Sequence, residues 1–262
     1  MLKIATWNVN SIRARISRIK DFLLRHDVDI LCVQEIKATK EQVPYEDIDS
    51  IGYNISINPQ KTYNGVAIFT KKPHLLADVS LDMGFAKGSK EARFIKGQFG
   101  SLTLINVYVP NGKDVSDPAY EYKLKWYEAF TLYLKENINQ KTILLGDFNV
   151  APYDQDCFDS HLLMESLSVS AREREAYQKM MAVGFVDTFT HLHGKKQAFT
   201  FWDYRFLSFQ KDMGFRIDHI LCSKALLEHL KEVQVDRDER KPQGQKAQKP
   251  SDHAPVIATF DL

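Results

Sequence analysis

Short apolar runs that each end in polar residues recur along this chain, and they constrain its fold more than any other feature. LKIATWNVN, DVDILCVQE, GVAIFTK, LTLINVYVPN, KTILLGDFN, FRIDHILCS and HAPVIATF all fit strands of about five to seven residues. Several are almost continuously apolar, the pattern of strands covered on both faces. Helical spacing lies between them. In 12–23, Ile12, Ile16, Ile19 and Phe22 form one stripe, and Arg13, Arg15, Arg18 and Lys20 form an opposite basic face. Residues 120–134 and 172–183 also read as helices. The fold class is therefore α/β, with no linker that would divide it, and one domain over 1–262 is expected. The most loop-like stretch is DRDERKPQGQKAQKP, residues 236–250. It reads as a surface loop whose Lys241, Lys246 and Lys249 are unopposed by acids and available to phosphate.

A chain of 262 residues with 44% hydrophobic content can bury a sizeable core. Its formal net charge of +1 excludes a global basic field, so phosphate binding would rest on local patches or on a metal. The cysteines, Cys32, Cys157 and Cys222, are odd in number and not spaced as a zinc or redox pair. Inert buried thiols in a reducing compartment are expected. No apolar run approaches the ~18 residues of a membrane span. The N-terminus lacks a basic region followed by an apolar one, so it reads as the start of the fold and a cytoplasmic location is expected.

The ends of the strands carry the functional signal. The first run gives Asn8 and Asn10, and ILCVQE ends in Glu35. INVYVPN gives Tyr108 and Asn111, and ILLGDFN gives Asp147 and Asn149. FRIDHIL encloses Asp218, and SDHAPV gives Asp252 and His253. Each alone is an ordinary turn or cap residue. Asp218, between apolar neighbours, is expected to be buried and to need a partner. Six such strand ends point to one shared site at a sheet rim. No cysteine cluster or HExxH supports zinc, and no GxxxxGK[ST] supports a P-loop. Carboxylates and amides suit Mg²⁺, with Mn²⁺ as substitute. A hard ion beside an Asp–His pair suits hydrolysis of a phosphate ester.

TWNVNSIRAR, CVQEIK, NVYVPNG, GDFNVAP, FTFWDYR, GFRIDHIL and SDHAPV, in this order, closely resemble the exonuclease III and abasic-site endonuclease family, within the endonuclease/exonuclease/phosphatase superfamily. The resemblance runs over nearly the whole chain. It implies a four-layered α/β sandwich, two packed mixed sheets with helices outside. It makes Glu35 the principal Mg²⁺ ligand, with Asn8, Asn10 and Asp252 at the metal side. Asp218 orients His253 at the scissile phosphate, Asp147 activates or aligns the attacking water, Asn149 supports it, and Tyr108 contacts the phosphate. Arg13, Arg93 and Asn111 are implied at the DNA backbone, as are Arg15, Lys37, Lys61, Lys90 and Lys113 more loosely. Phe201, Trp202, Phe215 and Ile217 are implied as an apolar wall for a flipped sugar lacking its base. The family often has Asp where this chain has Asn10, which removes a charge from the metal side. Arg205 and Phe206 stand where some relatives carry intercalating side chains. The implied activity is Mg²⁺-dependent incision of double-stranded DNA 5′ of abasic sites, with 3′-to-5′ exonuclease and 3′-phosphatase action on blocked 3′ ends, by a monomer with no membrane partner. Two alternatives stand beside it: a superfamily phosphatase for a soluble or lipid phosphate ester, and a non-catalytic DNA-binding protein.

Overall fold

The computed structural model describes residues 1–84, 91–242 and 249–262. In chain order its elements are β1 (Leu2–Asn8), α1 (Ile12–His26), β2 (Ile30–Gln34), α2 (Tyr45–Ser50), β3 (Tyr53–Asn58) and β4 (Val66–Lys71). Then come β5 (Ala77–Ser80), β6 (Phe94–Phe99), β7 (Leu102–Tyr108), α3 (Pro118–Asn137), β8 (Thr142–Asp147) and α4 (Ala171–Met181). The chain closes with β9 (Phe185–Asp187), α5 (Thr188–His193), β10 (Asp218–Ser223), β11 (Leu230–Val235) and β12 (Val256–Phe260). One sheet has the order β11-β12-β1-β2-β4-β3 and the other β5-β6-β7-β8-β10-β9.

Each sheet holds one parallel pair, β1 with β2 and β7 with β8, joined by α1 and α3; the other pairings are antiparallel. Period-two alternation sends Ile4, Ile30, Cys32, Ile68, Leu104, Ile143, Leu145 and Ile220 into the layer between the sheets. Ala5, Trp7, Leu31, Val33 and Phe69 face outward onto Ile12, Ile19, Phe22 and Leu23 of α1. On the far side, Ile105, Val107 and Leu144 meet Trp126, Tyr127 and Phe130 of α3 and Tyr177 and Met180 of α4. The result is the expected four layers, helix, sheet, sheet, helix. Among the described residues no helix is long and apolar enough to cross a membrane.

Toward one rim the apolar filling gives way to a polar belt. Gln34 donates from Nε2 to Thr6 Oγ1 (2.9 Å) and, across the gap, to Asn106 Oδ1 (2.7 Å). Asn106 donates onward to the carbonyls of Val33 (3.1 Å) and Ala67 (2.9 Å). Each buried large apolar side chain contributes about 1.5–3 kcal/mol, against a net ~0.5–1.5 kcal/mol per hydrogen bond. Burial therefore holds the sheets together, and the directional belt fixes how they align at the rim.

The strands read from sequence are the central ones, β1, β2, β4, β7, β8, β10 and β12. The five not anticipated are the four sheet edges, β3, β5, β9 and β11, together with β6. Edge strands bury less, so YNISIN, ADVS and LKEVQV lack long apolar runs. Helix α1 departs from expectation: its basic face is partly internal. Arg15 and Arg18 are buried, while Arg13 is exposed. Arg18 holds Glu239 through a 2.8 Å ion pair, and Lys20 pairs with Asp47 at 2.9 Å. The start of 236–250 is likewise no solvated loop: Glu239 and Arg240 are buried in a 3₁₀ turn. Lys241 is opposed by Asp238, and Lys249 lies over the Tyr204 ring at 4.5 Å. Lys90 and Lys246 lie outside the described residues.

Candidate active site

Parallel strands with crossover helices bring their carboxyl ends to one rim. Asn8 ends β1, and Glu35 directly follows β2; Tyr108 ends β7 and Asp147 ends β8. Register places Asn8 beside Gln34 and Tyr108 beside Asp147. Asp218, the first residue of antiparallel β10, pairs with Asp147, and His253 enters just before β12. The approach of β7 to β8 depends on Gly146 (φ +146°), where a Cβ would collide with the Val107 carbonyl oxygen. The glycine before Asp147 is thus a steric requirement of the strand end that presents it.

Several residues here are left-handed without being glycine: Asn10 (φ 44°), Glu35 (φ 53°), Lys37 (φ 49°) and Asn149 (φ 52°). Such strain persists only where surroundings over-determine it. Ser11 N–H donates to the Glu35 carbonyl (2.8 Å), Ile36 N–H to Gly65 (3.0 Å) and Lys37 N–H to Asn64 (3.1 Å). Arg15 donates to the Asn10 carbonyl (2.7 Å), and Ser251 Oγ to that of Asn8 (2.7 Å).

One half of the site is an acid–base set. His253 Nδ1 lies 2.8 Å from Asp218 Oδ2, and its Nε2 lies 3.9 Å from Asp147 Oδ2. Burial would lower the imidazole pKa, but the charges of Asp218 and Asp147 outweigh it and push it up to about 10. His253 is therefore an imidazolium at neutral pH. Asp147 is pushed up to about 7 by burial and then by the Asp218 charge, against the pull of His253 and a hydrogen bond from Asn8. Ligating atoms of Asp147, Asp218 and His253 all lie within 4.8 Å of one another. With Nδ1 of His253 taken by the hydrogen bond to Asp218, the trio is built as a hydrogen-bonded acid–base set. Asn149 N–H donates to Asp147 Oδ1 (2.9 Å), and its side chain donates to the Val109 carbonyl (2.9 Å) while accepting from Asn111 Nδ2 (3.0 Å).

The other half is a run of oxygen donors. Asn8 Nδ2 donates both to Glu35 Oε1 (2.8 Å) and to Asp147 Oδ2 (2.9 Å), and its Oδ1 accepts from Asn10 N–H (3.0 Å). Of the two ends of the amide only the nitrogen can donate to two carboxylates, so Asn8 brackets the halves together. Asn10 Nδ2 donates to Asp252 Oδ1 (3.0 Å). Lys37 Nζ bridges Glu35 Oε2 (2.6 Å) and Asn10 Oδ1 (2.7 Å). Burial would raise the Glu35 pKa, but the Lys37 charge and the Asn8 bond more than offset it and keep the carboxylate ionised. Two carboxylates and two amides, all hard oxygen ligands, fit a hard divalent ion.

Tyr108 is buried, with a side-chain hydrogen bond to Glu35; burial and then the charges of Glu35 and Asp147 hold its phenol protonated. The Arg93 guanidinium lies over the Tyr108 ring at 4.7 Å and pairs with Glu91 at 3.0 Å. Arg93 and Lys37, expected at the DNA backbone, are thus tied to site residues. Arg13, Asn111, Lys61 and Lys113 remain exposed.

The Phe201 ring sits 4.9 Å from the His253 ring and 6.4 Å from that of Phe215. Both phenylalanines pack on buried Ile217. Trp202 differs from expectation. It is wholly buried with Phe199 and Ala254, and its Nε1 donates to Asp212 Oδ1 (3.2 Å). Side chains alternate along 201–202, so Phe201 facing the site sends Trp202 into the core.

Sequence reasoning missed the supports. Thr200 Oγ1 accepts from Ile217 and Asp218 N–H (both 3.1 Å), and Trp7 Nε1 donates to the His253 carbonyl (3.0 Å). Arg216, next to the Asp218 strand, bonds Asp156 (2.7 Å) and Asp187 (2.8 Å). A charged residue inside the apolar run FRIDHIL is the signal that marks it.

The sequence matches the model of the Endonuclease/Exonuclease/phosphatase family over residues 5–253. An exodeoxyribonuclease of Bacillus subtilis is 31% identical over all of both chains. Exodeoxyribonuclease III of Haemophilus influenzae is also 31% identical, over 99% of this chain and 100% of its own. Among solved structures, a variant of the 3′ phosphatase NExo from Neisseria bound to a product DNA hairpin superposes with a TM-score of 0.94 at 36% identity, each chain covered fully. An AP endonuclease from Archaeoglobus fulgidus gives 0.92 at 35%, again over both full chains. With fold and full-length similarity in agreement, the chain belongs to the endonuclease/exonuclease/phosphatase family, in the branch of exonuclease III and the AP endonucleases.

Proposed function

We propose that this protein is a Mg²⁺-dependent DNA phosphodiesterase of base excision repair, incising duplex DNA 5′ of abasic sites and removing blocking groups from 3′ ends. The observation that carries this reading is the juxtaposition, within one rim, of an Asp218-held imidazole, the Asp147 carboxylate 3.9 Å from it, and Glu35 bracketed to that carboxylate by Asn8.

Glu35 and Asp252, with amide oxygens of Asn8 and Asn10, would hold Mg²⁺ or Mn²⁺. Such an ion, when bound, neutralises phosphoryl and leaving-oxygen charge. Asp147, with a pKa near operating pH, takes the proton of the attacking water. The His253 imidazolium and the Asn149 amide stabilise charge on the phosphoryl oxygens, and the Tyr108 phenol donates to the phosphate. Hydrolysis at phosphorus then leaves a 3′-hydroxyl. Phe201, Phe215 and Ile217 form the apolar side of the cleft, which favours an extruded sugar lacking its base. In this reading exposed Arg13 and Asn111 contact the backbone, and Phe206, 73% exposed, is a candidate side chain to enter the duplex.

Three labelled duplexes, one intact, one with an abasic-site analogue and one with a 3′-phosphate, incubated with Mg²⁺ and with chelator, test the reading. Metal-dependent incision 5′ of the lesion and release of phosphate are expected. Phosphate release or 3′ shortening without incision would remove the abasic activity. Inertness toward all three, with hydrolysis of a soluble phosphate ester, would move the chain to another branch of the family.

A further inference from the structure

A lysine lies buried beneath the site. Lys123, on α3, has no exposed surface, yet its ammonium has three acceptors. It donates to the Asn149 carbonyl (2.6 Å), to the Asn111 carbonyl (3.2 Å) and to Glu173 Oε1 on α4. An ammonium has three N–H donors, so this tripod uses all of them. Glu173 is held in turn, because its Oε2 accepts from Ser170 Oγ (2.6 Å), which also bonds the Tyr120 hydroxyl (2.6 Å).

The two carbonyls belong to the residues whose side chains meet above: Asn111 after β7 and Asn149 after β8, joined by Asn111 Nδ2 donating to Asn149 Oδ1 at 3.0 Å. Asn149, left-handed (φ 52°), lies just past β8, so its buried carbonyl is outside the strand ladder and needs another donor. Lys123 is that donor. Asn149 N–H, on the preceding peptide, holds Asp147 Oδ1 at 2.9 Å, so a displacement of the Asn149 backbone disturbs both its own side-chain amide and the Asp147 carboxylate.

We propose that Lys123 is a positioning residue for the hydrolytic reaction, fixing the Asn111 and Asn149 loops from below through their backbone carbonyls, with Glu173 as the buried counter-charge. It touches no substrate. The inference rests on the phosphodiesterase reading, in which Asp147 and Asn149 face the reacting phosphate.

Lys123→Met alone strands the Glu173 charge, and loss of fold would hide any effect on the site. The test therefore compares it with Lys123→Met/Glu173→Gln, which removes both charges and keeps an oxygen for Ser170. Thermal unfolding, kcat and KM on a 3′-phosphoryl duplex, and NMR shifts of the Asn111 and Asn149 side-chain amides in metal-free protein are measured. The single variant is expected to melt roughly 10 °C lower, and the double variant to regain most of that. In the double variant kcat is expected to stay about 30- to 100-fold down with KM within about threefold, and both amides to shift. Recovery of kcat together with melting temperature would make the pair merely structural and overturn the proposal. If the wild type hydrolyses no DNA substrate, the parent reading fails, and unshifted amides in the double variant would separately overturn the tripod.

Discussion

Folding and chemistry place opposite demands on Asp147. Burial beside Asp218 raises its carboxyl to about 7, so above that pH the folded protein holds a charge that the unfolded chain would carry at less expense. A carboxyl whose folded pKa is raised adds stability below the unfolded value of about 4 and loses it as pH rises through the folded value. Asp147→Asn removes this charge but sets its amide nitrogen against one of two donors, Asn149 N–H or Asn8 Nδ2, so only part of the penalty is recovered. Without metal at pH 8 the variant is expected to be more stable than wild type by on the order of 1–3 kcal/mol. The gap should narrow between about pH 7 and pH 4, and calorimetric melting across that range checks it. A variant less stable at pH 8 would contradict the buried-charge account. The aromatic neighbours of the site divide in a similar way. Phe201→Ala, beside His253, is expected to impair catalysis or lesion choice with a modest change in melting. Trp202→Ala is expected to lose about 3–5 kcal/mol through an empty core position, and any kinetic change should follow stability.

At the scale of the elements, strand ends were legible because burial on both faces gives central strands long apolar runs, and a polar residue closing such a run stands out. Asn8, Glu35, Tyr108 and Asp147 were found in that way, Asp218 as a carboxylate enclosed by an apolar run, and the structure brings them with His253 to one rim. Edge strands were not legible, since half-exposed residues carry mixed composition. The roles of the arginines were also hidden. Period alone cannot tell a solvated basic face from one that grips buried carbonyls and carboxylates, which is how Arg15 and Arg18 came to read as surface. Arg216 is the strongest case. It joins Asp156 in a 3₁₀ turn to Asp187 at the end of β9 (2.7 and 2.8 Å), directly before β10. Burial would raise the Asp187 carboxyl, but Arg216 and His219 more than offset it and hold it well below the usual carboxylate range. That stability is present above the unfolded pKa of about 4 and is lost as pH falls toward the folded one. Arg216→Met should therefore destabilise by about 3–5 kcal/mol at pH 7, with a smaller gap from wild type below about pH 4. Denaturant melts at both pH values decide it, and an equal gap at both would rule out the carboxylates as the cause.

For the whole molecule, two parallel pairs, one in each sheet, set their carboxyl ends against each other across a polar belt. Neither sheet alone has the site: Asn8, Glu35 and His253 come from the first, and Tyr108, Asp147 and Asp218 from the second. This layering could be taken from family resemblance but not from periodicity, which reports which faces are buried and not which sheet a strand joins. The central claim is that Asp147 takes a proton while the His253 imidazolium stabilises charge. The most direct test is single-turnover cleavage of a duplex substrate in saturating Mg²⁺ from pH 5 to 9 by wild type, Asp147→Asn and His253→Asn. The wild-type rate is predicted to rise about tenfold per pH unit and level off at or below about pH 7, with each variant slower by roughly 10²–10⁴. A variant that keeps the wild-type rate and pH profile would contradict the account.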